Sequence, residues 1–148
     1  MALLELHNVT KTYGSGDNAV NAVKDVSVDV GDGEFVALVG PSGSGKTTLL
    51  AMIGALLTPT SGEILANGRR LSELSGGERA RFRRDSVGYV FQSNNLVPYL
   101  TARENLMVAR AIGGQGPGTP GQRADEVLKE LGLEKRASTI VTALSGGE

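Results

Sequence analysis

The sequence predicts an α/β fold in which a parallel sheet is joined to an antiparallel flap. Phe35 to Val39 is an unbroken apolar run of strand length, which is typical of a parallel strand covered on both faces. A glycine-rich loop, Gly40 to Gly45, follows directly. Lys46 to Leu57 then favours a helix that stops before the Thr58-Pro59 pair. A strand, a loop and a helix in this order predict one unit of a parallel α/β sheet.

Two segments before the apolar run predict the flap. Leu3 to Val9 and Val26 to Val30 alternate apolar and polar residues, as half-buried strands do. Gly31-Asp32-Gly33 is expected to turn the chain into the apolar run. Glu63 to Ala66 predicts another short strand, which ends at an Asn67-Gly68 turn.

The remaining elements are predicted to be mainly helical. Ser75 to Asp85 favours a short basic helix, and Val87 to Phe91 favours a second apolar strand. Thr101 and Glu104 have the spacing of a capping box, which predicts a helix to about Ile112.

The C-terminal part of the chain is predicted to contain a loop and one amphipathic helix. The stretch 113–121 is rich in glycine and proline and is expected to be a flexible surface loop. Beyond it, four apolar residues share one helical face that ends at Gly132. They are Ala124, Val127, Leu128 and Leu131.

The composition fits a soluble globular protein and excludes several kinds of site. The 148 residues are 40% hydrophobic and carry a formal net charge of −1, so no global basic field attracts nucleic acid or an anionic membrane. The absence of cysteine excludes thiolate metal sites, and a single histidine, His7, cannot form a His-rich site. We expect His7 to be a surface residue of the flap. Neither a signal peptide nor a membrane span is visible, so we expect a cytosolic protein.

The strongest motif is a phosphate-binding loop. Gly40 to Thr47 reads GPSGSGKT, which matches the pattern GxxxxGK followed by Ser or Thr. Its glycines let successive N–H groups point at one place, and the following helix adds its positive end. We expect Lys46 at the β- and γ-phosphates and the Thr47 hydroxyl on Mg²⁺. The alternative is a strand-to-helix turn that binds nothing, and the position of the loop between strand and helix argues against it.

With this loop, the sequence resembles the ATP-binding subunits of ABC transporters over essentially its whole length. Four features carry the resemblance: Lys11 to Gly14, the loop Gly40 to Leu50, Gly88 to Gln92, and the closing Leu144 to Glu148. The region from Arg83 to Asn105 looks most like the branch for lipoprotein release and macrolide export.

The resemblance implies the P-loop NTPase fold, with a parallel sheet, an N-terminal antiparallel flap and a helical subdomain. It assigns residues 1–92 to the ATP-binding core and residues 93–148 to the helical subdomain. It also implies ATP and Mg²⁺ as ligands and ATP hydrolysis as the activity.

Several site residues follow from the resemblance. Tyr13 corresponds to the aromatic residue that stacks on adenine, although it could also be an exposed turn tyrosine. Gln92 corresponds to the glutamine that meets Mg²⁺ or the attacking water, although it could also face solvent at a strand end. Lys46 and Gln92 are the implied catalytic residues, and Thr47 and Gln92 the implied metal ligands. The implied nucleotide contacts are Tyr13, Gly40, Pro41, Ser42, Gly43, Ser44, Gly45, Lys46, Thr47, Thr48, Gln92, Ser145, Gly146 and Gly147.

The letters LSGGE occur twice. Leu144 to Glu148 resembles the family's signature motif, which closes over the γ-phosphate held by the other subunit. Ser145 and Glu148 have capping-box spacing, which predicts a helix start. The earlier copy, Leu74 to Glu78, precedes Gln92, whereas the family's signature follows that glutamine. We interpret the early copy as a helix cap that is followed by a solvated arginine face.

The resemblance also implies parts that these residues do not contain. They are the Walker B aspartate, the catalytic glutamate, the D-loop and the switch histidine. Acidic residues such as Asp85, Glu104 and Glu134 do not end an apolar run, so none fits Walker B. We therefore interpret the chain as an N-terminal fragment that does not turn over ATP alone. We also expect an exposed apolar edge at residues 35–39, which would promote association.

The partners implied by the resemblance are a second ATPase subunit and a transmembrane permease, with no nucleic acid. The complete subunit would lie on the inner face of the membrane and drive export or lipid-related transport. The alternative is an ABC ATPase of DNA repair or translation, or a nucleotide-binding module without a permease. Ser93 to Ile112, where transport subunits receive the membrane partner, resembles the transporter form.

Overall fold

A computed structural model of the chain describes residues 2–91, 95–113, 118–145 and 147. The chain divides into two compact units, Met1–Val87 and Gly88–Glu148. The first unit contains a four-stranded sheet with two helices, and the second unit contains two further helices.

The strands of the first unit are β1 (Ala2–Tyr13), β2 (Val20–Gly31), β3 (Ser61–Ala66) and β4 (Arg69–Arg70). They form an antiparallel sheet with the strand order β2-β1-β3-β4. The predicted flap is confirmed, and its two strands are longer than predicted. Asn67 and Gly68 connect β3 to β4 with φ values of 50° and 72°, as a two-residue hairpin turn requires.

The helices of the first unit are α1 (Lys46–Ile53) and α2 (Gly76–Ser86). Helix α1 ends four residues before the predicted Leu57, because Ala55 adopts a left-handed φ of 53°. The N–H groups of Leu56 and Leu57 then donate back to the carbonyl oxygen of Ala51, at 2.8 and 3.1 Å. These bonds satisfy a carbonyl at the helix end and stop the helix.

The core of the first unit lies between one face of the sheet and the two helices. Burial of these side chains holds α1, and the loop before it, against the sheet. The core residues are Leu6, Val9, Val23, Leu49, Met52, Ala55, Ile64, Leu71, Leu74 and Phe82.

The two apolar runs predicted as strands, Phe35 to Val39 and Val87 to Phe91, are not in strands in this structure. Phe35 is 98% exposed and Val90 is 95% exposed, and residues 35–39 and 87–91 have no strand pairing. The prediction of buried strands is therefore wrong for these segments. A parallel strand needs hydrogen-bonded neighbours and cover on both faces, and β1 to β4 supply neither to them. The exposed apolar segment expected at residues 35–39 is present.

The helices of the second unit are α3 (Ala102–Gly113) and α4 (Pro120–Glu130). The capping box predicted before α3 is confirmed, because the N–H of Thr101 donates to the Glu104 carboxylate at 2.8 Å and its hydroxyl accepts from the Glu104 N–H at 3.2 Å. This bonding from the Thr101 backbone, with a second bond from its hydroxyl, holds the pKa of Glu104 below its ordinary value. Helix α4 takes in the last two residues of the predicted loop, because Pro120 suits a first helical position.

The predicted apolar face of α4 is confirmed in its centre and wrong at its end. Ala124 and Leu128 are buried, whereas Leu131 is 67% exposed. Gly132 has a φ of 70° and turns the chain away after α4, as predicted. In the described ranges no helix has the length and apolarity to cross a membrane.

Gly62 of β3 lies closely against β1 and provides a test of the sheet. Its φ is +82°, and a Cβ there would lie 2.3 Å from the Asn8 carbonyl oxygen. Gly62→Ala should therefore destabilise the protein by more than about 1 kcal/mol, and lower its Tm by several degrees in a thermal melt. Gly76→Ala is the control, because Gly76 has open space around it. Equal melting temperatures for the two variants would contradict this packing.

Candidate functional site

The glycine-rich loop lies immediately before α1, as predicted. Gly43 and Gly45 have φ values of +80° and +85°, which only glycine adopts easily. The N–H of Ser44 donates to the Pro41 carbonyl oxygen at 3.3 Å, which curls the loop. The loop therefore ends in the first turn of α1, where N–H groups have no acceptor within the helix. This geometry is suited to an anion.

Gly45 seats the loop directly on the sheet. A Cβ at this position would lie 2.0 Å from the Ala22 carbonyl oxygen and 3.3 Å from a methyl carbon of Val23. Any larger residue would push the loop away from β2. The sequence motif indicated a glycine at this place but not the strand residue against which it packs, because Ala22 belongs to no motif.

Lys46 connects both ends of the loop. Its Nζ donates to the carbonyl oxygens of Gly40 at 2.8 Å and Pro41 at 2.6 Å. It also lies 3.3 Å from the Ser44 hydroxyl. The ammonium group therefore lies inside the curve of the loop, where it can reach a phosphate by exchanging these neutral acceptors for a charged one.

The hydroxyl residues of the loop differ in their surroundings. Thr47 is exposed in the first turn of α1, Thr48 is half-buried, and Ser42 is exposed. Among the described residues, none forms a hydrogen bond with the Thr47 hydroxyl. That oxygen is thus available as a ligand for a hard cation beside the loop, and a hydroxyl oxygen is a donor that Mg²⁺ accepts.

Tyr13 lies at the same end of the flap as the loop. It is 45% exposed and pairs with Val20 of β2, two positions before the residue on which Gly45 rests. Two residues along a strand span about 7 Å, and neighbouring strands are about 4.8 Å apart. The Lys11 ammonium lies 5.5 Å from the ring centre and donates to the Thr58 carbonyl oxygen at 2.8 Å. Because Tyr13 is paired with Val20, it is a strand-end residue and not part of a turn.

The other expected site residues belong to the second unit. Gln92 and Gly146 lie outside the described residues, as does Glu148. Ser145 is exposed and follows a short 3₁₀ turn, Val141–Ala143. Gly147 is exposed with open space around it. The helix predicted to start at Ser145 stays a prediction.

The early LSGGE copy is a helix cap, as we interpreted it. The Glu78 carboxylate accepts from the Ser75 N–H at 2.9 Å and from its hydroxyl at 2.8 Å. The backbone bond from Ser75 is the main reason why the pKa of Glu78 lies below its ordinary value. The Glu78 carboxylate therefore occupies the N–H and the hydroxyl of Ser75, which are donors that an anion at this helix start would need.

The arginine face that follows the cap is only partly solvated, contrary to the prediction. Arg79 donates to the Thr58 hydroxyl, and Arg83 donates to the Ala55 carbonyl oxygen at 2.9 Å. Both side chains are half-buried against the end of α1, while Arg81 and Arg84 are exposed. Two of the four arginines thus fix α2 to the segment after α1.

Comparison with known proteins gives consistent matches. The family model described as "ABC transporter" matches residues 23–148. The macrolide export ATP-binding/permease protein MacB of Marinobacter nauticus is 44% identical over 146 residues, which cover 99% of this chain and 23% of MacB.

Solved structures agree with the sequence matches. The dimeric post-hydrolysis state of the ATP-binding cassette MJ0796, bound to ADP and Pi, superposes with a TM-score of 0.87 at 41% identity. Another dimeric structure of MJ0796, a bacterial ABC transporter cassette, gives 0.85 at 39%. Each match covers 97% of this chain and 64% of the solved chain.

These matches extend over both compact units, and the fold is that of an ABC ATPase cassette of which this chain spans a part. The phosphate loop lies inside the matched region. The chain belongs to the ABC transporter family, as an ATP-binding cassette.

Proposed function

We propose that this chain binds Mg-ATP at the loop of residues 40–48 and, in its complete protein, couples ATP binding and hydrolysis to transport through a membrane permease. The observation that carries the proposal is the loop itself, which is anchored on β2 by Gly45 and holds the Lys46 ammonium inside its curve. Residues 1–92 would supply the ATP-binding core, and residues 93–148 the helical subdomain.

Different loop residues would contact different phosphates and the Mg²⁺ ion. Backbone N–H groups at the start of α1 would receive the α- and β-phosphates, in the field of the helix N-terminus. Lys46 would exchange the carbonyl oxygens of Gly40 and Pro41 for the β- and γ-phosphates, as the analogous lysine of a phosphate loop does. The Thr47 hydroxyl would ligate Mg²⁺, which neutralises phosphate charge when bound.

Tyr13 would contact the adenine base of the nucleotide. It lies on the strand next to the one that supports Gly45, so an adenine could stack on its exposed ring while the phosphates reach the loop. Stacking on an aromatic face accepts any base. A preference for ATP over GTP would then depend on other contacts.

The remaining roles follow from family membership. Gln92 would orient the attacking water, and Ser145, Gly146 and Gly147 would close over the γ-phosphate held by a second cassette. The dimeric MJ0796 cassette bound to ADP and Pi supports a site shared by two chains. The export ATP-binding/permease relative MacB supports a permease partner, and hence a position at the inner membrane face.

The first prediction concerns Lys46. Lys46→Ala should weaken Mg-ATP binding by about 10- to 150-fold, because a charge-assisted hydrogen bond contributes about 1.5–3 kcal/mol. Titration calorimetry on the purified protein would measure this. Lys129→Ala, which removes a lysine from α4, should bind as the parent does. An unchanged affinity in Lys46→Ala would exclude the phosphate role.

The second prediction concerns Tyr13. Tyr13→Ala should weaken ATP by about 1–3 kcal/mol if the base stacks there, and should weaken GTP to a similar extent. Tyr13→Phe keeps the ring and should bind ATP nearly as the parent does. If all three proteins bind ATP equally, Tyr13 does not contact the base.

The third prediction concerns a polypeptide of these 148 residues alone. We expect no sustained ATP hydrolysis, because general-base catalysis contributes about 10²–10⁴-fold and none of Asp85, Glu104 and Glu134 ends an apolar run. We also expect self-association, because Phe35 and Val90 are almost fully exposed and the net charge of −1 gives little repulsion. Phosphate release and light scattering would measure the two properties. A polypeptide extended to the length of the MJ0796 cassette should regain activity and solubility. Turnover by the 148 residues that Lys46→Ala abolishes would contradict the prediction.

A further inference from the structure

The face of the sheet that points away from the core holds a cluster of three metal-ligating side chains. Glu5 and His7 are two positions apart on β1, and Asp29 pairs with Glu5 across β1 and β2. All three therefore point to the same side of the sheet. One ligand atom from each lies within 4.8 Å of the others, and the His7 Nε2 is 3.4 Å from a Glu5 carboxylate oxygen.

The two carboxylates of this cluster are like-charged groups at facing positions of the sheet. Glu5 and Asp29 stand directly opposite each other, and like charges in this position destabilise a sheet. In the described part of the chain, no lysine or arginine forms an ion pair with either carboxylate. The nearest cation in the same row across the sheet is Arg70, which pairs with Leu65, the neighbour of Glu5 on β3.

Arg70 does not compensate this charge. Its position is two strands from Glu5, which is about 10 Å. Its guanidinium is already shared between Glu63 at 3.4 Å and Glu73 at 3.1 Å. Among the described residues, the Glu5-Asp29 pair therefore has no lysine or arginine partner, and it lies beside an imidazole that can act as a metal ligand.

We propose that Glu5, His7 and Asp29 form a binding site for one divalent transition-metal ion of the zinc class, distinct from the Mg-ATP site. An imidazole with two carboxylates is a ligand set that suits zinc, whereas magnesium prefers oxygen ligands alone. Donor atoms around zinc lie about 2.0–2.2 Å from the metal. Small rotations of these solvent-accessible side chains would bring the three atoms to that distance, and water would complete the coordination. The ion would cross-link β1 to β2 and neutralise the facing carboxylates.

The test uses nucleotide-free protein treated with a chelator, so that the phosphate loop contributes no metal. Equilibrium dialysis against Zn²⁺ counts the bound ion even if the chain associates. We expect roughly one zinc per chain. Glu5→Gln and His7→Gln should each weaken binding by about tenfold or more, because even the loss of a residue that only orients a metal ligand costs about 10–100-fold in metal affinity. Glu73→Gln is the matched control, because it neutralises an exposed carboxylate outside the cluster.

A second measurement identifies the ligand directly. The chain contains a single histidine, so the imidazole ¹⁵N signals in a nuclear magnetic resonance spectrum belong to His7 alone. Zinc should shift one ring nitrogen of the parent and of Glu73→Gln. No zinc binding, an unmoved His7 signal, or equal zinc affinity in His7→Gln would each overturn the proposal. Binding that survives His7→Gln would place the metal elsewhere.

Discussion

The close approach of Gly45 to β2 is the contact on which the arrangement of the nucleotide site depends. The carbonyl oxygen of Ala22 occupies the space in which any side chain at this position would begin, and the φ of +85° turns the chain into α1. Leu49 and Met52, one and two turns into α1 respectively, then reach the core. A loop seated in this way has little freedom, so its N–H groups are held in position before a ligand arrives, which lowers the entropic cost of binding.

The same contact relates the phosphate loop to Tyr13. Because strand β2 supports Gly45 at one residue and pairs with Tyr13 two residues earlier, a single hairpin determines the separation between ring and loop. Hydrogen bonds to the segment after α1 support this hairpin. Lys11 reaches the Thr58 carbonyl oxygen, and Arg83 reaches that of Ala55. The segment that follows α1 thus connects the flap to α2.

The exposed apolar runs have the local composition of strands, but within the described residues no neighbouring segment pairs with them. Residues 35–39 have the composition of a buried parallel strand, yet Phe35 and Val39 are 98% and 85% exposed. Strand pairing is a property of two segments, since each N–H and C=O needs a partner on a neighbouring chain segment. The chain spans 64% of the solved cassettes it matches, and within the described residues no segment pairs with this run.

The sequence by itself determined those features that depend on neighbouring residues. The capping boxes at Ser75 and Thr101 and the hairpin turn at Asn67-Gly68 each need only a few consecutive residues, and the phosphate loop was recognised from its glycines and lysine. The tertiary structure decided the rest: the packing of Gly45 on Ala22, the early end of α1, the partial burial of Arg79 and Arg83, and the meeting of Glu5 with Asp29. These features join residues that are distant in the sequence, and their positions follow from strand register and core packing.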